Sequence, residues 1–466
     1  MTDKKYKKSL IIFRRDLRLE DNTALLAACE SSEEVIPLFC FDPRQADEGH
    51  NDYFSNNAFR FMCDALLELD KHLRKRNSRL HVGTAKPDEL LDTLLADSDI
   101  QAVFFNQDYT PFSVQRDKQM KSVCELYDVD AQDFHDVALT VPGEVLTQAG
   151  DPYRVFTPFE RKARKQQPQK PRRNNFDNFG RLDHPELDDV SVVRNHRPDT
   201  NNEIFQTGGR NQATSILQCI KDFQDYKDER NEPSTRGTTR LSAHLKFGTI
   251  SPRELYWAVA ENLSVNHGLI SELYWRDFYL HISWHFPEVF GENFNSDYDG
   301  IPWENDKEKF QAWQRGLTGF PIVDAGMREL TKSGWMHNRV RMIVASFLTK
   351  DLNIDWRWGE KHFAHHLVDY DPSSNNGGWQ WAASTGADAQ PYFRIFNPWT
   401  QGKTHDPDVV YIKKWLPELS NMSADRIHKI VDKGVPDDIN YPNTIVDHKK
   451  MYHEAIARYK RVKNNA

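Results

Sequence analysis

The sequence has no CxxC pair, no long apolar run, and no tryptophan before Trp257. Its five cysteines (Cys29, Cys40, Cys63, Cys124, Cys219) are odd in number and scattered, which excludes a disulfide framework or a zinc ribbon. They are read as small buried hydrophobes in a reducing, cytoplasm-like compartment. No apolar stretch approaches the ~20 residues of a membrane-spanning helix. The run at residues 10–13 is bounded by arginines and is too short for a signal-peptide core. GxGxxG, GxxxxGK[ST], HExxH and GxSxG are all absent, so dinucleotide-fold, P-loop, zinc-protease and serine-hydrolase chemistries lack their usual signatures. The histidines of HFAHHL (His362, His365, His366) have metal-like spacing but no glutamate in place, and no metal site is assigned. A net charge of −8 rules out a uniformly basic coat. It does not rule out nucleic acid, which needs only a local basic patch.

At 466 residues with 38% hydrophobic content, the chain is long enough for two or three domains. Residues 7–135 alternate short apolar runs (SLIIF, EEVIPLFCF, RLHVGT, QAVFFNQD, VDAQDF) with helical patterns such as NAFRFMCDALLELDKHLRKR. That alternation predicts a doubly wound parallel sheet, the kind that binds ligands at the carboxyl ends of its strands. Periodicity fades over residues 136–205, expected to be an interdomain linker. Its basic, Pro- and Gln-rich stretch RKARKQQPQKPRRNN reads as an exposed crossover in preference to a direct DNA contact. From 206 to 466 a helical period dominates. All 12 tryptophans lie between Trp257 and Trp415. Such concentration suits a domain that handles an aromatic ligand or redox electrons, and suits core filling equally well.

Several stretches of the helical half can carry chemistry. RGTTRLSAHLKFG places hydroxyls and Arg240 at an expected helix start, as a phosphate cradle or a plain N-cap would. HNRVRM sets Arg339 and Arg341 two apart, hence on different sides of a helix, one able to face a buried acid and the other a phosphate. LVDYDPSSNNGG offers Asp369 and Asp371 as partners for an arginine and for ribose hydroxyls. NNGGWQWAASTG puts Trp379 and Trp381 on different faces, behind a glycine pair that interrupts regular structure.

FRRDLRLEDN, TTRLSAHLKFGTISPREL, ELYWRDFY, GWMHNRVRMIVASFLTKDL and NNGGWQWAASTGADAQPYFRIFNP, in this order over nearly the whole chain, resemble the class I DNA photolyases of the photolyase/cryptochrome family. The resemblance implies an α/β antenna domain, a long connection, and a helical domain holding one FAD, fully reduced in the active form. It also implies a light-dependent carbon–carbon lyase, a deoxyribodipyrimidine photo-lyase, acting on UV-damaged DNA as a cytoplasmic monomer.

Position by position, Tyr226, Thr238, Thr239, Arg240, Leu241 and Ser242 match FAD phosphate and ribityl contacts. Arg341 and Asp369 match an ion pair beside the isoalloxazine, with Asp371 close by, and Asn375 matches the residue facing flavin N5. Trp379, Trp356 and Trp303 match an electron-hopping chain. Glu272, Trp275, Asn338, Met342 and Trp381 match the pocket for the damaged bases. Arg230, Arg339, Arg394 and Gln401 match DNA-backbone contacts. Six-four photolyases carry paired histidines where this chain has Asn338 and Met342, which favours cyclobutane pyrimidine dimers.

Some positions depart from the family pattern. Leu269 replaces an aromatic often found near the flavin, and Phe112 and Ser113 replace a folate-contacting asparagine–glutamate pair. Asp108 and Lys246 match positions that accompany a deazaflavin antenna, favouring 8-hydroxy-5-deazaflavin over methenyltetrahydrofolate. A cryptochrome photoreceptor is the rival on the same fold. Asn375 argues against it, as does the expected lack of a long C-terminal extension. A light-independent flavin oxidoreductase and a plain DNA-binding module are weaker alternatives.

Overall fold

The computed structural model describes residues 4–198 and 203–465. Five parallel strands, β1 (Tyr6–Phe13), β2 (Ser32–Cys40), β3 (His81–Gly83), β4 (Ala102–Asn106) and β5 (Asp130–Phe134), form one sheet in the order β3-β2-β1-β4-β5. The five apolar runs of the sequence are these strands. β1 is central, Ile12 lying opposite Leu38 on one side and Phe105 on the other, so its side chains are apolar on both faces. The strand order reverses between β1 and β4, which places a crevice at their carboxyl ends. Crossover helices start where the sequence supplies caps: Asn22 accepts from Leu25 N at 3.1 Å, and Ser55 caps Asn56–Arg74 by accepting from Ala58 N at 3.2 Å.

Two compact units divide the chain at places other than the expected 7–135, 136–205 and 206–466. The first joins residues 4–198 to Gln206–Gln224 and Arg240–Pro287. Buried charge explains why those later helices belong with the sheet. Asp136 binds Arg18 at 2.5 Å and Arg253 at 2.7 Å, and Arg253 also reaches Asp21 at 2.9 Å. Farther along, Asp277 of helix Gly268–His285 accepts from Thr140 N at 2.8 Å and from its hydroxyl at 3.0 Å. Each of these acids is almost wholly buried, where losing its partner would cost several kcal/mol.

The region expected as a linker is partly built into this unit. It contains helices Phe156–Ala163 and Ser191–His196. Asn178 O accepts from Val35 N at 2.9 Å, Gly180 N donates to Val35 O at 2.8 Å, and Val82 pairs with Asp188. β3 has only three residues, leaving the backbone of β2 near Val35 open for this return strand. The basic stretch itself is mostly exposed, as its composition implies.

The second unit comprises residues 203–205, Asp225–Thr239 and Glu288 to residue 465. Helices Pro321–Ser333, Asn338–Ser346, Trp356–His366 and Pro372–Ala383 enclose a core of Trp313, Met336, Phe347, Trp356, Phe363 and Trp379. Core filling therefore does account for several of the tryptophans. Of the cysteines, Cys219 is exposed, contrary to the expectation of burial. No helix among the described residues is long and apolar enough to cross a membrane.

Candidate functional site

In the helical unit the candidate residues gather around helix Pro372–Ala383. Asp371 caps it, accepting from Ser374 N at 3.0 Å, and Pro372 occupies the first turn. The glycine pair that was expected to interrupt regular structure lies inside this helix, because the cap and proline start it upstream. Asp371 is accordingly a helix cap first. Asn375 donates its amide N–H to the carbonyl of Glu360 at 3.1 Å, which leaves its Oδ1 as the acceptor for an N–H on a ligand. Asn376 is 2% exposed and donates to Glu360 Oε1 at 3.0 Å and Val289 O at 2.8 Å. Burial raises the Glu360 carboxyl to about 7, with the Asn376 bond opposing.

The two tryptophans separate as expected: Trp379 is 2% exposed and Trp381 only partly buried, near Phe396. The Trp379 ring lies against Gly359, where an added Cβ would meet it at 2.1 Å. Gly359 follows Trp356 by three residues on helix Trp356–His366, so Trp379 packs one turn from Trp356. Trp356 is fully buried and donates to Asn293 Oδ1 at 2.9 Å, while Trp303 is partly buried. Trp379 Nε1 is buried with no hydrogen-bond partner.

Helix Asn338–Ser346 separates its arginines as the spacing implied. Arg341 binds Asp369 at 2.8 Å, and the Asp369 side chain is 2% exposed. Arg339 turns instead to Asn231 Oδ1 at 2.7 Å. Burial and the neighbouring Arg230 push the Arg339 guanidinium down; burial and Arg339 push His405 down to about 4. Arg230, Asn231, Arg339 and His405 thus form one basic cluster. Gln401 stands a turn before His405 on helix Pro398–His405, its Oε1 buried without a partner. Asn338 and Met342 meet at 3.7 Å, with Asn338 exposed. Arg394 is exposed on the nonhelical segment after Trp381. Tyr226 is buried beneath the Arg230 guanidinium, and Thr238 and Thr239 are half-buried.

In the sheet-containing unit, Glu272, Trp275 and Tyr279 share one face of helix Gly268–His285. Trp275 stacks on Phe156 at 3.7 Å with rings 9° apart. Arg240 has a left-handed φ of +56°, followed by Leu241 at φ −83° and ψ 6°. Successive residues of opposite hand aim neighbouring N–H groups at one point, a nest for an anion. Ser242 opens helix Ser242–Lys246 there and is exposed. Leu269, where relatives often carry an aromatic, is buried.

At the β1/β4 crevice Arg15 binds Asp108 at 3.2 Å and donates to Lys246 O at 3.1 Å, bringing the two candidate antenna residues together. Burial works against the Asp108 carboxylate, but Arg15, Arg116 and Lys246 outweigh it and hold Asp108 well below the usual carboxylate range. Phe112 lies between the Arg44 and Arg116 guanidinium groups, at 4.9 and 5.9 Å.

Sequence reasoning missed Glu360, Asn376, Asn231, His405 and Phe156. Asn376 adjoins Asn375 in the doublet and was within reach. Phe156 is separated from Trp275 by more than a hundred residues and left no spacing signal.

Within the helical unit, an arginine fixed on a buried acid, an amide with its acceptor left over and an indole N–H lacking a partner suit a flavin ring; within the sheet-containing unit, the nest at Arg240 suits an anion. Residues 269–461 match the family model described as FAD binding domain of DNA photolyase, and residues 9–175 match that described as DNA photolyase. A deoxyribodipyrimidine photo-lyase of Halobacterium salinarum is 38% identical, the alignment covering 97% of this chain and 98% of that one. The crystal structure of a photolyase from Sulfolobus tokodaii with two FAD molecules is 39% identical, TM-score 0.89, covering 97% of this chain and all of that one. A Synechocystis cryptochrome is 27% identical, TM-score 0.85, covering 99% of this chain and all of the other. The chain belongs to the DNA photolyase family and is an FAD-binding enzyme of the deoxyribodipyrimidine photo-lyase type.

Proposed function

We propose that this enzyme repairs cyclobutane pyrimidine dimers by taking the lesion out of the stack into a pocket, with Glu272, Asn338, Met342 and Asn375 at the reacting groups. The observation that carries the lesion preference is the Asn338–Met342 contact on the open side of its helix, where six-four photolyases carry histidines. A dimer is already poorly stacked, which lowers the cost of extruding it. Glu272 hydrogen-bonds the pyrimidine edges and stabilises the charge that develops on them, while Trp275 and Trp381 offer ring faces to the bases. Phe156 holds the Trp275 ring in place. Arg230, Arg339, Arg394 and Gln401 contact the DNA backbone and so position it without reading sequence.

When bound, fully reduced FAD supplies, on light excitation, the electron that opens the cyclobutane ring and receives it back. Tyr226, Thr238, Thr239, Arg240, Leu241 and Ser242 hold its phosphates and ribityl chain. Arg341, Asp369, Asp371 and Asn375 line its ring. Trp379, Trp356 and Trp303 relay an electron inward from the surface, and the packing of Trp379 one turn from Trp356 supports that order. For the antenna we infer 8-hydroxy-5-deazaflavin in preference to methenyltetrahydrofolate, held near Asp108 and Lys246. The arginines beside Phe112 suit an anionic ligand, and Phe112 and Ser113 stand where some relatives carry the folate-contacting asparagine–glutamate pair. The second FAD of the Sulfolobus relative is the competing occupant, and chromatography of the chromophores released by heat separates the three. A monomer in a reducing compartment completes the reading.

The test is an oligonucleotide with one cyclobutane thymine dimer, incubated with reduced holoenzyme in darkness and under blue light, alongside Glu272→Ala. Thymines restored only in light, and more slowly by the variant, are expected. Bound reduced FAD with no repair would instead favour the cryptochrome reading, to which Asn375 and the lower identity of the cryptochrome are opposed.

A further inference from the structure

Helix Pro372–Ala383 carries Asn375, Trp379 and Trp381, and the position of its carboxyl end decides where those rings lie. That end is held in an unusual way. Ser384, a non-glycine residue, takes a left-handed φ of +66° to close it, a conformation that L side chains adopt only when something else enforces it. Lys350, 1% exposed, donates from Nζ to Ala383 O at 3.0 Å and to Ser384 Oγ at 2.9 Å. Tyr459, fully buried on the C-terminal helix His448–Asn465, donates its hydroxyl to the same Ala383 carbonyl at 2.7 Å. Its ring lies 3.5 Å below Lys350 Nζ.

Stability alone does not account for this arrangement. Burial and the Arg458 guanidinium both push the Lys350 ammonium well down, and among the described residues no carboxylate pairs with it. An apolar side chain of similar length would avoid that desolvation. What the amine does provide is direction: two hydrogen bonds and a ring face fix one carbonyl and one hydroxyl at the helix end, where the helix dipole favours a donor. Lys350 is itself set in the π-helical turn Phe347–Asp351. That turn is tied to the C-terminal helix by Asp351–His448 at 2.5 Å and by Arg458 to Lys350 O at 3.4 Å.

Tyr459 also joins other parts of the candidate site. Its ring stands edge-on to Trp303 at 6.5 Å and stacks on Tyr392 at 6.1 Å, two residues before Arg394. We propose that Lys350 and Tyr459 are positioning residues that together fix the carboxyl end of helix Pro372–Ala383, and with it Trp379 and Trp381, relative to Trp303 and the segment bearing Arg394. The proposal rests on the flavin and DNA reading above.

The test uses full-length Lys350→Met and Tyr459→Phe. Methionine keeps the stem volume and removes the amine; phenylalanine keeps the ring under Nζ and removes one bond to Ala383. Without flavin, amide hydrogen exchange at residues 384–386 is expected to accelerate in both variants, while thermal unfolding of Lys350→Met stays at or above the wild-type midpoint and that of Tyr459→Phe falls by no more than the loss of one hydrogen bond. With FAD bound, the absorbance of oxidised tryptophan after a laser flash should form severalfold more slowly in Lys350→Met, because electron transfer weakens as the rings move apart, and less so in Tyr459→Phe. Unchanged exchange and flash kinetics would overturn the proposal. So would slowing that only follows a loss of folded protein, since that is what a structural lysine gives. Should Lys350→Met fail to fold, Tyr459→Phe decides by the same readouts. A wild-type protein that binds FAD yet shows no oxidised tryptophan would count against the electron-relay reading, and the exchange result would still judge the clamp.

Discussion

The side-chain amide of Asn375 is fixed on the backbone carbonyl of Glu360 at 3.1 Å, while the Glu360 carboxyl, 5% exposed, is held by Asn376 at 3.0 Å. One buried acid therefore organises both members of the asparagine doublet.

Burial raises the Glu360 carboxyl from 4.5 to about 7, so the folded state binds its proton more tightly than the unfolded state does. Stability on this account is greatest below the unfolded value, falls as pH rises between the two values, and carries the full penalty above the folded one. The span corresponds to roughly 3 kcal/mol at about 1.4 kcal/mol per unit. Glu360→Gln, which keeps an acceptor for Asn376, should flatten that decline. Urea unfolding of both proteins at mildly acidic and mildly alkaline pH measures it, and parallel pH slopes would refute the assignment.

Arg341→Ala removes the partner of an acid that is 2% exposed. Because the guanidinium itself is partly exposed, the loss should fall near the lower end of the range for breaking a buried pair, about 3 kcal/mol. Flavin retention should drop with it. Gel filtration followed by the ratio of visible to near-ultraviolet absorbance reads the second effect. A variant that keeps wild-type flavin content would remove Arg341 from the cofactor site.

At Gly359 a methyl group would meet the Trp379 ring at 2.1 Å and Leu348 at 2.6 Å. Both side chains are buried in the packed core, so Gly359→Ala should cost about 1–3 kcal/mol by overpacking and shift the indole. Melting temperature and light-driven flavin reduction by an external donor are both expected to fall. Unaltered reduction in a destabilised variant would separate the packing of Trp379 from its electron role.

How much of this was readable in the sequence depends on the range of the interactions. The sheet was legible because β1, β2 and β4 each carry an unbroken apolar run, residues 10–13, 35–40 and 102–105, most of it buried on both faces. The Arg339/Arg341 division followed from two-residue spacing on a helix, and Arg341 did meet Asp369. The unit boundaries were not legible. They depend on Asp136 reaching Arg253 and Asp277 reaching Thr140, contacts separated by more than a hundred positions that leave no periodic trace. The glycine pair of NNGGWQWAASTG misled locally, since the Asp371 cap and Pro372 outweigh the helix cost of about 1 kcal/mol per glycine.

The basic cluster of Arg230 and Arg339 yields a prediction about DNA. Arg339 already donates to Asn231 and is pushed down by burial and by Arg230, so two positive groups are held together at some electrostatic cost. A phosphate placed between them would relieve that repulsion. Arg339→Gln should weaken binding of dimer-containing DNA and of undamaged DNA by similar factors, because a phosphate contact fixes position without reading the lesion. It should also reduce the slope of log binding constant against log salt by roughly one, the signature of one released counterion. Fluorescence anisotropy over a salt series provides both quantities. A loss confined to damaged DNA with an unchanged salt slope would place Arg339 in the lesion pocket and off the backbone.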